Sequence, residues 1–384
     1  MMDTKKFRTR QEVRSMTNPK GKDFIIGLDI GYSGTKVFHE DGCLCFPSYV
    51  KHLNRSMLDI PDSRDIFYRD DDTGEEYIVG YNAQEMVEST DTNDTEGELF
   101  SRKRYGSKSF KILCNVAIGM ATIRKKDNRK IVIWTGLPAS YVEGDSPSLK
   151  KALAVPANFS LKVGKSSWFK FNIDINEKDI VVMSQPMGGL YSAVIRKDGT
   201  YTPDAVKILS GNVLVMDIGF GTFDFMGLKN RVTVCTESTD QLGMREVLSI
   251  VSKRVLNEYH EDIRVAALQK NLETGTVICV NEEKMSTDER SISKFLEDAS
   301  KEVLDKAMEK AKSVTNSFRG YQYVIIDGGT GEAWYDDIKN WMNDMKTIRI
   351  IPCNINDQLP YIYANARGYY MFGYMNSIRK NKEA

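Results

Sequence analysis

The sequence predicts an α/β protein built from two similar halves facing one another across a cleft, and three observations carry that prediction. Residues 24–36 read Phe-Ile-Ile-Gly-Leu-Asp29-Ile-Gly31-Tyr32-Ser33-Gly34-Thr35-Lys36, an apolar run ending in a carboxylate and a small, hydroxyl-rich turn. Residues 213–224 repeat it as Val-Leu-Val-Met-Asp217-Ile-Gly219-Phe220-Gly221-Thr222-Phe-Asp224. A related piece follows near the end, Tyr323-Val-Ile-Ile-Asp327-Gly328-Gly329-Thr330-Gly331-Glu332. Short apolar runs bounded by glycine read as buried strands. The order of strands, insertion and helix occurs twice, which is the pattern of a duplicated α/β fold.

The elements follow in order. Phe24 to Asp29 is the first strand, and Thr35 to Phe38 returns from its turn. Glu40-Asp41-Gly42 marks a hairpin into Cys43–Val50. Residues 51–110 are acidic and broken, with Asp70-Asp71-Asp72, a Thr- and Asp-rich stretch from Glu85 to Glu98, and basic Arg102-Lys103-Arg104. They read as a loop-rich insertion. Phe110–Ile123 has helical spacing, Lys130–Gly136 is a strand ending at Pro138, and strands follow at Phe169–Ile175 and Ile180–Ser184. Pro186 suits the first turn of a helix running through Leu190, Tyr191 and Val194.

In the second half, Ile292, Leu296, Ala299, Val303, Ala307, Ala311 and Val314 recur on one face of a helix spanning Ser291–Phe318. It leads to the strand Tyr323–Ile326. The Tyr- and Met-rich Leu359–Ser377 is a closing helix packed on the first half, a better reading than an amphipathic membrane anchor. The expected organisation is a basic, flexible leader over 1–23, a first domain from 24–205 plus 355–384 carrying the 51–110 insertion, and a second domain over 206–354.

Composition narrows the function. Lys plus Arg and Asp plus Glu are both 53, so the chain carries no net positive charge for direct nucleic-acid binding. The six cysteines are scattered and read as reduced packing residues of a cytosolic protein. Only Cys43 and Cys45 are close in sequence, and no second pair completes a zinc site. The three histidines have neither metal-ligand nor triad spacing. Residues 1–22 lack the apolar segment of a secretory signal, and no apolar run is long enough to span a membrane.

What remains is chemistry built on carboxylates, glycines and one lysine. Glycines at 31, 34, 219 and 221 permit positive φ and let backbone N–H groups approach an anion. Ser33, Thr35 and Thr222 offer hydroxyl donors. Lys36, seven residues after Asp29, can return an ammonium over phosphates from the second strand of its hairpin. Asp29 and Asp217 each end a strand, and two carboxylates at one site suit Mg²⁺, which is held by few acidic groups and its own waters.

These motifs together resemble the actin-like ATPase superfamily. Asp29 to Lys36 resembles its first phosphate motif, Asp217 to Asp224 its second, and Val324 to Gly331 its adenosine motif. Gln185 with Met187-Gly-Gly-Leu-Tyr191 is similar to the first connecting helix, and Ala364-Asn-Ala-Arg-Gly368-Tyr to the second. Within the superfamily, Trp134-Thr-Gly-Leu-Pro138 and the Asp327-Gly-Gly-Thr330 turn look like the bacterial ParM/StbA group of plasmid-segregation proteins.

The resemblance implies an actin-like, ribonuclease H-like duplicated fold with an interdomain nucleotide cleft, ATP or GTP as nucleotide, and Mg²⁺. It implies that Asp29 and Asp217 hold the metal through water. Gly31, Tyr32, Ser33, Gly34, Thr35 and Lys36, with Gly219, Phe220, Gly221 and Thr222, would hold the β- and γ-phosphates. Gly328, Gly329 and Thr330 would pack along the adenosine. Gln185 and Asp217 would be the catalytic residues, Gln185 helping to orient the attacking water, and sugar contacts would come from the helix after Gly243.

The function implied is a bacterial, cytoplasmic NTPase that assembles head to tail with copies of itself into filaments. It would segregate plasmid DNA through a DNA-binding adaptor protein, with no direct nucleic acid and no membrane. A small-molecule kinase of the sugar or acetate type and a chromosomal cytoskeletal homologue are the alternatives. A chaperone is disfavoured, since little sequence follows the second connecting helix.

Overall fold

The computed structural model describes residues 4–53, 60, 62–88 and 101–383; most of the acidic stretch from Glu85 to Glu98 lies outside the described residues. The first half runs β1 (Glu12–Ser15), β2 (Phe24–Ile30), β3 (Gly34–His39), β4 (Gly42–Pro47), β5 (Val50–His52), β6 (Ile66–Asp70) and β7 (Glu76–Val79). Helices α1 (Tyr81–Glu85) and α2 (Lys108–Thr122), strand β8 (Ile131–Leu137) and helix α3 (Val142–Ala154) follow. Then come β9 (Ala157–Val163), β10 (Phe169–Ile173), β11 (Ile180–Ser184) and α4 (Gln185–Val194).

The second half opens with α5 (Ala205–Ser210), β12 (Val213–Ile218), β13 (Thr222–Lys229) and β14 (Val232–Asp240). It continues through α6 (Met244–Tyr259), α7 (Val265–Asn271), β15 (Thr276–Asn281), β16 (Ser286–Ser291) and α8 (Ser293–Val314). It closes with β17 (Tyr323–Asp327), α9 (Gly329–Ala333), α10 (Tyr335–Trp341), β18 (Arg349–Pro352) and α11 (Ala364–Glu383).

The duplication is explicit in strand order. One sheet runs β1-β4-β3-β2-β8-β11 and the other β14-β13-β12-β17-β18. Leaving out β1, each is a three-stranded antiparallel meander followed by two strands parallel to its first. The central strands β2 and β12 are buried along their whole length, as expected of strands covered on both faces. On α8, Leu296, Ala299, Val303, Ala307 and Ala311 are buried, so the predicted apolar face is the one that packs.

After its last strand each half sends a helix to the other. Helix α11 packs on β2 of the first half, and α4 packs on β12 and β17 of the second. The two helices also pack on each other, and their backbones come close because glycines lie where they meet. A Cβ on Gly368 would stand 1.8 Å from the carbonyl oxygen of Gly188, and one on Gly27 would stand 2.0 Å from that of Ala366. The closing helix therefore packs as predicted; among the described residues no helix is long and apolar enough to cross a membrane.

Two expectations are corrected. Residues 51–110 are not loop-rich throughout: β5, β6 and β7 join β9 and β10 in a five-stranded sheet, ordered β10-β9-β6-β7-β5. The Asp70–Asp72 run is the turn between β6 and β7, with Asp70 Oδ1 accepting from the backbone N–H groups of Asp72 and Thr73. Nor are residues 4–23 a flexible leader. Strand β1 pairs antiparallel with β4, Glu12 opposite Cys45 through Ser15 opposite Gly42, and Thr4, Phe7 and Arg8 before it are buried. Backbone pairing holds this strand, with Val13 exposed at the sheet edge, so it carries no apolar signal.

The helix crossing gives a direct test. Gly368→Ala should lower stability by about 1–3 kcal/mol, read as a lower thermal midpoint. Gly106→Ala, where an added Cβ meets nothing within 4 Å, should leave it unchanged.

Candidate functional site

The two acidic turns are built alike. In β2–β3, Asp29 stands opposite Lys36 and the Gly31 N–H donates to the Gly34 carbonyl at 3.0 Å. In β12–β13, Asp217 stands opposite Asp224 and the Gly219 N–H donates to the Thr222 carbonyl at 2.9 Å. Residues directly opposite on paired strands share a face of the sheet. The charges on those faces differ between the halves.

In the first half the pair is complementary, with Lys36 Nζ 2.8 Å from Asp29 Oδ2. In the second half Asp217 lies between Asp224 on β13 and Asp327 on β17, three carboxylates in one cross-strand row. All three are buried. Burial, then the neighbouring Asp327 and Asp224 charges, push the Asp217 carboxyl well above the usual range. Burial likewise raises Asp327. Asp224 is pushed up to about 6 by burial, although Ser238, Thr222 and the Ala139 N–H all donate to it.

Side chains from the connecting helices complete the site. At the start of α4, Gln185 Nε2 donates to Asp29 Oδ1 at 3.2 Å. From α11, Asn365 Nδ2 donates to Asp217 Oδ2 at 2.8 Å. Asp29, Gly31, Tyr32, Ser33, Gly34, Lys36, Gln185, Asp217, Gly219, Phe220, Gly221, Thr222, Gly328, Gly329 and Thr330 line one cavity of about 120 Å³ between the halves. Tyr32 lies against Gly221 across the cleft, where a Cβ would come within 2.5 Å of its ring. Thr330 Oγ1 donates to the Gly219 carbonyl at 2.8 Å, joining the third turn to the second.

Thr35 stands apart from this set. It is fully buried, with its hydroxyl 3.0 Å from that of Ser48, because strand alternation turns it away from the face that carries Lys36. The Thr222 hydroxyl is directed to Asp224 at 2.8 Å. Glycines 31, 34, 219 and 221 do not adopt positive φ. What Gly31, Gly34 and Gly221 supply is room: a Cβ on Gly31 would meet Lys36 Nζ at 2.7 Å. Gly328 does need its conformation, with φ 82° and the Ile218 carbonyl oxygen 2.3 Å from where a Cβ would stand.

Asn365, Asp327 and Arg104 were not picked out from sequence as site residues. Arg104 lines the cavity, stacks over the Tyr32 ring at 4.4 Å and donates to the Ile30 carbonyl at 2.7 Å. Asp327 ends its strand as Asp29 and Asp217 nearly do, and Asn365 lies inside the closing-helix motif, so both had a readable signal.

The site suits a hard cation that brings its own waters. Among the described residues no three His, Cys, Asp or Glu side chains converge as a ready cage. Yet Asn365 Oδ1, which lines the cavity beside Asp217, is buried without a hydrogen-bond partner, and with Asp29 and Asp217 it gives an acceptor set that fits a hydrated divalent ion.

The strand order, the duplicated turns and the helices exchanged between halves define an actin-like fold. Residues 27–188 match the family profile for the N-terminal domain of actin-like proteins. Among similar solved structures is a non-polymerisable quadruple mutant of pCBH ParM, 22% identical, with TM-score 0.70, covering 91% of this chain and 99% of that one. The 15-stranded ParM filament from Clostridium botulinum is 20% identical over the same shares, with TM-score 0.69. The archaeal actin homologue Ta0583 in complex with ADP is 17% identical, with TM-score 0.63, covering 93% of this chain and 99% of that one. No match is found among curated proteins. The resemblance read from the motifs thus holds for the fold across most of the chain.

The carboxylate row has a pH signature. Asp224 holds its proton more tightly folded (about 6) than unfolded (ordinary value 3.8), so the folded state binds more protons between those values. Stability must therefore fall as pH rises through that window. Asp224→Asn should remove on the order of 3 kcal/mol of that loss, seen as a flatter dependence of thermal midpoint on pH between 4 and 7 relative to the unsubstituted protein.

Proposed function

We propose that the protein is a nucleoside triphosphate hydrolase of the actin-like type, which assembles into filaments whose lifetime is set by its bound nucleotide. The observation that carries the reading is the convergence of two equivalent acidic turns, with Lys36 and Gln185, on one cleft between two halves. The triphosphate lies between the turns, with Lys36 and the backbone N–H groups of 32–34 and 220–222 against its β- and γ-phosphates. Asp29 and Asp217 would hold Mg²⁺ through water, and the ion would supply neutralisation of phosphate charge. Gln185, already hydrogen-bonded to Asp29, orients the attacking water; a neutral amide suffices because phosphoryl transfer depends chiefly on positioning. The turn at Gly328–Thr330 lies along the adenosine.

Self-assembly is supported by likeness of fold to a ParM filament and an Alp12 filament. Bound nucleotide biases the closure of the halves, and closure sets affinity for the next subunit in a head-to-tail contact that does not close on itself. The cargo we assign is plasmid DNA, engaged through an adaptor protein because the chain carries no net positive charge. The compartment is the bacterial cytoplasm.

Sedimentation with ATP, GTP and a non-hydrolysable analogue tests this reading. Nucleotide-dependent pelleting is expected, and a soluble monomer that phosphorylates a sugar would overturn it. Asp217→Ala should abolish phosphate release with the fold retained by circular dichroism. Gln185→Ala should slow hydrolysis roughly 10²-fold or more, within the range for losing a positioned group, while binding nucleotide and yielding longer-lived filaments.

A further inference from the structure

Residues 4–10, which precede the first sheet strand, lie in the cleft itself. Lys6, Phe7, Arg8, Thr9 and Arg10 line the same cavity as Asp29, Asp217 and Gly329. The segment is tied to the second half: Thr4 Oγ1 donates to the Leu272 carbonyl at 2.7 Å, and Lys5 and Arg8 pair with Glu273 at 3.1 and 3.2 Å. It is tied equally to the first half. Arg8 also pairs with Glu85 and stacks over Tyr81 at 4.4 Å, and the Cys45 thiol donates to the Arg10 carbonyl at 3.3 Å. Phe7 and Arg8 are buried, and the Thr9 methyl group sits where a Cβ on Gly34 would be, 2.6 Å away. Lys6 reaches the Ala333 carbonyl at 3.5 Å, at the end of α9, which follows the Gly328–Thr330 turn expected to pack along the adenosine.

With the segment seated, the part of the cleft it shares with Asp29, Asp217 and Gly329 holds about 120 Å³, and a second cavity of about 520 Å³ shares Tyr32 and Gly221 with it. Sites for ligands of nucleotide size run to roughly 300 Å³ or more. A basic peptide bridging acidic residues of both halves therefore stands in space that a nucleotide needs. We propose that residues 4–10 are a displaceable plug: the segment and a nucleoside triphosphate compete for the cleft, and loading requires the plug to leave. The inference rests on the nucleotide reading of the site. Its consequence is that affinity is reduced by the fraction of molecules with the plug seated. Displacing the plug also frees both halves from the shared tie through Arg8.

The test compares the full chain with a form lacking residues 2–10, which keeps Gln11 and β1. Binding of a fluorescent ATP analogue with Mg²⁺ is followed at equilibrium and by stopped flow. The truncated form should bind at least about fivefold tighter, through faster association. Arg8→Ala, which cuts the ties to Glu85 and Glu273 without shortening the chain, should move affinity in the same direction. Equal or weaker binding by both altered forms overturns the plug and leaves the nucleotide site standing. Absence of binding by every form overturns the nucleotide reading itself.

Discussion

Three buried carboxylates side by side at one sheet end, facing a carboxylate–ammonium pair at another, form the arrangement on which the rest of the structure depends. Asp224, Asp217 and Asp327 are adjacent in register, so their repulsion cannot be relieved by choosing other rotamers on the same face. Such a row is tolerated by protonation, by donors such as Asn365 and Ser238, or by a cation. The first half has Lys36 where the second has Asp224, and that difference makes the cleft electrically asymmetric. On the function proposed above, a polyanion carrying a divalent ion would match the asymmetry, the lysine answering its phosphates and the two aspartates its metal.

The scaffold makes the arrangement accurate. Each half repeats one sheet order, and each sends its last helix to the other half, so the residues at the helix starts belong to both. Gln185 and Asn365 occupy equivalent places near the beginnings of α4 and α11, and each donates to the acid of a different turn. The close approach of Gly188 and Gly368 fixes how those helices cross. Further bridges between halves come from the Ala139 N–H to Asp224 and from the Thr4–Arg10 segment. The two halves are thus tied by several polar contacts besides the crossed helices.

Much of this was legible in the sequence, for identifiable reasons. The strands ending at Asp29, Asp217 and Asp327 are continuous apolar runs, which only fully covered strands tolerate, and α8 shows its buried stripe openly. Ile180–Ser184 and Gln185–Val194 also follow from local pattern. In the second sheet of the first half β10 was legible at Phe169–Ile175, but β5, β6 and β7 were missed because they are short and partly exposed, with the acidic Asp70–Asp72 turn joining β6 to β7. The leader was misread because β1 is polar and held by main-chain pairing. Thr35 was assigned to phosphate since its type fits, but strand alternation gives the cleft to Lys36. Glycines 31, 34, 219 and 221 were expected to need positive φ, but none adopts it; crowding by neighbouring atoms is what disfavours side chains at Gly31 and Gly221.

The central claim is that Asp29 and Asp217 act on one and the same ion. A double-mutant cycle on nucleotide affinity, with Asp29→Asn and Asp217→Asn alone and together, measured with Mg²⁺ and with EDTA, tests it most directly. The account predicts strong non-additivity in Mg²⁺, the double variant losing little more than the worse single one, and a coupling that vanishes in EDTA. Losses that simply add in Mg²⁺ would mean that the two carboxylates serve separate sites, and would contradict it.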